Sequence, residues 1–192
     1  MPILGVIASS TRQGQSTDAG AMYPLQTISV GSAGASSITF DNIPSTYTHL
    51  QIRGIGRSTR ASNGDSVAAR FNGTTTNYGT TGHVVYGNGA SALASSDWIS
   101  GSSNYAYIGE ICGNNASADV FGAFVTDILD YANTNKNKTI RLLGGFDNNG
   151  SGNINLGSSF WQNTAAINSI TLTVTGNWQQ FTQIALYGIK GA

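Results

Sequence analysis

His49 and His83 are the only imidazoles in a chain of 192 residues. A nucleophilic triad would need one of them beside a serine and a carboxylate. His49 lies in Tyr47-Thr-His-Leu-Gln-Ile52, in phase with the polar Gln51 and Arg53. That phase predicts a surface or interface ring rather than a general base. No Gly-x-Ser-x-Gly elbow occurs, so abundant serine alone does not make a nucleophile. Asp127 and Asp130 are the carboxylate pair nearest in sequence. Glycoside hydrolysis needs two carboxylates about 5 to 9 Å apart across a groove. On one strand these two would face opposite ways unless the chain turns between them. Asp130-Tyr131-Ala132-Asn133 reads as such a turn, with the aspartate capping it. No catalytic residue is assigned, and the chain is expected not to be an enzyme.

Metal and cofactor chemistry are equally sparse. No Cys/His constellation with metal-ligand spacing is present. Oxygen-bearing residues at Asp147, Asn149, Ser151 and Asn153, with Gly152 at the sixth place, match the first half of a calcium loop. Ser158 stands where the bidentate glutamate would be, so a polar hairpin is the competing reading. No phosphate-cradling glycine motif is found, because Gly54 and Gly56 lack a third partner and sit in a strand pattern. No cofactor is expected. Trp98, Trp161 and Trp178, with eight tyrosines, could supply a stacking platform for a host surface glycan. The alternative is that they fill a core or an interface.

The composition explains why chemistry is scarce. Charged residues make up 9% of the chain, 9 basic and 9 acidic, and the net charge is zero. Ordinary domains carry about a quarter. The hydrophobic share of 40% argues against disorder. Three lysines, Lys136, Lys138 and Lys190, form no basic face, so nucleic acid is not an expected partner. Cys112 is the single cysteine, which excludes an intrachain disulfide. Its apolar surroundings predict a buried thiol. The start, Met-Pro-Ile-Leu-Gly-Val-Ile-Ala, lacks the basic region of a signal peptide. No apolar run approaches the length of a membrane helix, so neither export nor membrane insertion is expected and synthesis is expected in a cytoplasm.

The elements that would position these residues are strands. Leu50, Ile52 and Gly54 alternate with Gln51 and Arg53, and Val67, Ala69 and Phe71 with Ala68 and Arg70. Ile170, Leu172 and Val174 alternate with three threonines, and Ile184 and Leu186 follow with Tyr187 on the reverse face. Period-two alternation marks half-buried antiparallel strands. Further strands are predicted at 37–41, 83–86, 106–111, 139–146, 153–156 and 158–162. Turn signals punctuate them at Asn72-Gly73, Asn88-Gly89, Gly113-Asn114-Asn115 and Asn149-Gly150. Residues 120–129 fit a helical stripe or a doubly buried strand, and Gly122 with the β-branched residues favours the strand. The expected fold is all-β, an antiparallel sandwich of jelly-roll type over residues 23–192. Residues 1–22 are read as an N-terminal arm and linker: an apolar stretch containing Pro2, Ile3, Leu4, Val6 and Ile7, then an aperiodic tether.

Sheet edges expose unpaired backbone groups, and soluble monomers protect them with charge, lysine above all. This chain has little charge to use there. Closure into a homo-oligomer would cover the edges instead.

Three stretches add a resemblance. They are Met1-Pro-Ile-Leu-Gly-Val-Ile-Ala-Ser-Ser10; Ser37-Ile-Thr-Phe-Asp-Asn-Ile-Pro-Ser-Thr-Tyr-Thr-His-Leu-Gln-Ile-Arg-Gly-Ile-Gly-Arg57 with Ala69-Arg-Phe-Asn-Gly73; and Asp127-Ile-Leu-Asp-Tyr-Ala-Asn-Thr-Asn-Lys-Asn-Lys-Thr139 with Ala185-Leu-Tyr-Gly-Ile-Lys-Gly191. In these the chain resembles small structural proteins of tailed bacteriophages. The resemblance implies a head-decoration, cement or tail component in a virion. It also implies a homotrimer, contacts with major capsid or tail proteins, and no catalytic residues. The receptor-binding module of a tail fibre, recognising a bacterial glycan, is the alternative. The arm would then add a strand to a neighbouring subunit, or else form the first strand of its own domain.

Overall fold

A computed structural model describes residues 22–87 and 92–191, with backbone alone at 83–87 and 92–102. The strands are β1 (Met22–Ser29), β2 (Ala35–Phe40), β3 (His49–Gly56), β4 (Gly64–Phe71), β5 (Tyr78–Gly87) and β6 (Ala92–Ser103). They continue as β7 (Ala106–Cys112), β8 (Gly122–Leu129), β9 (Lys138–Asp147), β10 (Gly152–Trp161), β11 (Ile170–Trp178) and β12 (Gln183–Ile189). No helix occurs among the described residues. Eight strands form one sheet in the order β1-β12-β3-β8-β9-β10-β5-β6, and four form a second in the order β2-β11-β4-β7. Every strand pairing is antiparallel. The chain is an antiparallel β-sandwich of jelly-roll type, as its alternation predicts.

Alternation decides which side chains meet between the sheets. Leu50, Ile52, Phe124, Ile128, Ile140, Ile184 and Leu186 point inward from the large sheet and are buried. Ile38, Phe40, Val67, Ala69, Phe71, Ile170 and Leu172 answer from the small sheet. Of residues 120–129, Gly122–Leu129 form the strand β8, with Phe124, Thr126 and Ile128 buried and Ala123 and Val125 exposed. The stretches 153–156 and 158–162 merge into the single strand β10, because Gly157 keeps its pairing to Leu142 and to Gly82. The Asn149-Gly150 turn forms with both residues at positive φ, 55° and 89°, as such a hairpin requires. β1 and β6 were not among the expected strands. Asn88-Gly89 and the arm residues Pro2, Ile3, Leu4, Val6 and Ile7 lie outside the described residues.

Packing at the centre rests on one ring. Phe124 is 2% exposed, and glycines surround it on three strands. A Cβ at Gly54 would come within 2.5 Å of the ring, at Gly109 within 2.6 Å, and at Gly144 within 2.8 Å of its Cβ. The three glycines let β3, β7 and β9 close around this ring, and any side chain there would overpack it.

Candidate functional site

Trp161 and Trp178 do not form a platform. Trp161 is 1% exposed and Trp178 is fully buried. Trp161 takes an inward position at the end of β10, its ring stacked 6.1 Å from Tyr78 and tilted 5.6 Å from Phe71. Trp178 ends β11 beneath Gly56 and Thr182. The expectation that these two contact a glycan is therefore corrected: both are core residues, where large rings contribute most by burial. Trp98 lies on β6, and its side chain is outside the described part.

The polar residues singled out by sequence are spread over several structural clusters. Asp127 accepts hydrogen bonds from Gln51 Nε2 at 2.7 Å and Arg141 at 3.2 Å on the outer face of the large sheet. Asp130 occupies the turn after β8 at φ 50°. There Lys136 Nζ bonds it at 2.8 Å, and its backbone N–H donates to His49 Nδ1 at 2.9 Å. The hydrogen bond from Lys136 holds the Asp130 carboxyl below the usual aspartate value. The Asp147 loop is a hairpin closed on itself, with Asp147 Oδ1 accepting from Gly150 N–H at 2.9 Å. Asn148 Oδ1 accepts instead from Ser117 N–H at 2.7 Å. No group of three or more metal-ligating His, Cys, Asp or Glu side chains occurs among the described residues.

Three buried charges are structural. Asp65 is fully buried and receives Ser58 Oγ at 2.7 Å and the backbone N–H groups of Thr175 and Gly176 at 3.2 and 3.1 Å. Arg57 donates to the carbonyls of Ser117, Val120 and Ala116, each at 2.8 Å, and so folds the loop after β7 around its guanidinium. Lys138 donates to the carbonyls of Asn133, Lys136 and Thr164. Its burial lowers the pKa of the ammonium. Each charge is offset by fixed donors or acceptors, the condition for burying one.

Two surfaces among the described residues bear on function. The first is the outer face of the eight-stranded sheet. Register places Val125 beside Leu143, and Leu143 beside Leu156. These are 38%, 55% and 59% exposed, and Ile154 next to them is 59% exposed. Ile55 and Phe160 extend the same face. A strip of mixed charge borders it, where Arg53 donates to Gln51 at 2.7 Å and lies over the Tyr187 ring. Beyond it come Asp127 and Arg141.

The second is a cleft of about 360 Å³ where the start of β4, the end of β7 and the β9–β10 hairpin meet. Its lining includes Arg60, Glu110, Phe146 and Asn153, together with Gly64 and Gly152. Glu110 is the chain's single glutamate. The reading from sequence missed it, although a lone carboxylate in the otherwise uncharged run Ala106–Cys112 was a usable signal.

No family model matches the chain, and no curated protein matches it significantly. Among solved structures the chain is similar to the crystal structure of the Caenorhabditis elegans galectin LEC-6. Identity is 6% over 86% of this chain and 96% of that one, with a TM-score of 0.34.

Proposed function

We propose that this chain is a structural subunit of a bacteriophage particle, a decoration, cement or tail-associated component that assembles as a homo-oligomer. The observation that carries the reading is the apolar outer face of the large sheet. Soluble monomers rarely leave a contiguous apolar patch open without a partner for it. Val125, Leu143, Ile154 and Leu156 make such a patch on neighbouring strands. The occupant is a second copy of this chain. The bordering strip holds both signs, Arg53 and Arg141 with Asp127 between them, so it can pair with itself across a symmetric contact. An apolar centre with a polar margin is the anatomy of an interface. The resemblance to phage structural proteins supports the same reading.

Cryo-electron microscopy of particles assembled with this chain tests the reading. The expected result is density for the sandwich in symmetric copies on the head or tail, with the outer sheet face at the subunit contact. Purified particles that lack the chain would overturn it.

A further inference from the structure

We propose that the cleft around Glu110 is a carbohydrate-binding subsite for a neutral sugar with adjacent hydroxyls. Asn155 Nδ2 donates to Glu110 Oε2 at 2.9 Å, and Tyr107 Oη lies 3.4 Å from the same oxygen. Oε1 has no hydrogen-bond partner among the described residues. It rests over Gly64, where any Cβ would displace it. One oxygen is thus held by the protein and the other is left to a ligand. Asn153 shows the same division. It is 6% exposed, its Oδ1 accepts from Asn155 at 3.1 Å, and its amide nitrogen donates to no acceptor among the described residues. The cleft therefore offers a fixed acceptor and a fixed donor. Arg60 adds further donors, since among the described residues its guanidinium bonds only Gly64 O at 3.3 Å and Asp65 at 3.5 Å, both through Nη1.

A sugar fits this set by its chemistry. Hydroxyls both donate and accept, so each can bridge a carboxylate oxygen and an amide or guanidinium. The Phe146 ring, beside Gly64, supplies an apolar surface for the C–H face of the ring. The cleft lies in the size range of small-ligand sites. Its hairpin wall is anchored by the bond from Ser117 N–H to Asn148, on the loop that Arg57 clamps. That anchoring limits the ordering needed on binding. None of the residues that line the cleft belongs to the apolar outer face, so the cleft is separate from the surface that assembly would bury.

The test is saturation-transfer and amide-shift NMR on the full chain with a panel of neutral hexoses and N-acetylhexosamines. The expected result is millimolar binding of at least one sugar, with shifts centred on Gly64, Glu110, Phe146 and Asn153. Glu110→Gln should weaken that sugar about tenfold or more, the loss of one charged hydrogen bond. Asn153→Asp keeps the acceptor toward Asn155 and removes the free donor. It should weaken binding similarly, and it decides the matter if Glu110→Gln does not fold. No binding of any panel sugar would overturn the proposal. So would shifts centred elsewhere, or unchanged affinity in a folded variant. None of these outcomes bears on assembly through the outer face.

Discussion

Thr126 Oγ1, on the inner face of β8, donates to the carbonyl of Ile108 on β7. Ser159 Oγ of β10 donates to the neighbouring carbonyl of Tyr107 at 2.8 Å. β7 is the edge of the four-stranded sheet, and its outward carbonyls would otherwise need another strand or water. Buried hydroxyls of the opposite sheet serve them instead. At these two carbonyls the edge is closed within the chain, without charge. The chain's poverty in charge thus bears less on β7 than on the outer face of the large sheet.

Thr126→Val keeps the shape of the side chain and removes the donor. The Ile108 carbonyl would then be buried without a partner, at a loss of about 1–3 kcal/mol. Chemical denaturation measures this, and a wild-type midpoint would show that the hydroxyl does not hold the edge.

Gly109→Ala sets a methyl within 2.6 Å of Phe124 Cγ. Overpacking of this kind destabilises by about 1–3 kcal/mol. Thermal unfolding should show a lowered midpoint. A more stable variant would mean that β7 can move away from the ring.

Much of this architecture is legible from residue types. Ile170 and Leu172 alternate with threonines, and the structure buries Ile170 between Phe40 and Phe71 and Leu172 between Ile38 and Ala69 in register. The aromatic reading failed at Trp161 and Trp178 because residue type does not say which sheet face a ring takes. Inward position is set by pairing, as with Trp161 opposite Tyr78 and Lys138. Glu110 was missed for a related reason. β7 is buried on both faces, so it shows no alternation to mark the residue that turns toward a cleft. Its partner Asn155 lies 45 residues away in sequence, joined to it only by the fold.

Asp130 predicts an acid limb to stability. Its folded pKa is held below the ordinary aspartate value by Lys136. The stabilisation is therefore present above about pH 4 and is lost as pH falls through the folded value. Asp130→Asn should flatten the fall of stability with acid over that interval, measured by denaturation at stepped pH. An unchanged slope would remove Asp130 from the account of acid unfolding.

Cys112 is fully buried, and burial pushes its thiol up to about 11. The thiolate is the reactive form, so a disulfide reagent at mildly alkaline pH should label the native chain slowly and the denatured chain at once. Rapid stoichiometric labelling of the folded protein would contradict the burial.

Sedimentation of the full chain beside a Leu143→Lys/Leu156→Lys variant tests the central claim of assembly through the outer face most directly. Both side chains are more than half exposed in the single chain, so the variant folds with its core intact. The account predicts a discrete oligomer for the wild-type chain and a folded monomer for the variant. A wild-type chain that sediments as a monomer would contradict the account, as would a variant that keeps the wild-type oligomer.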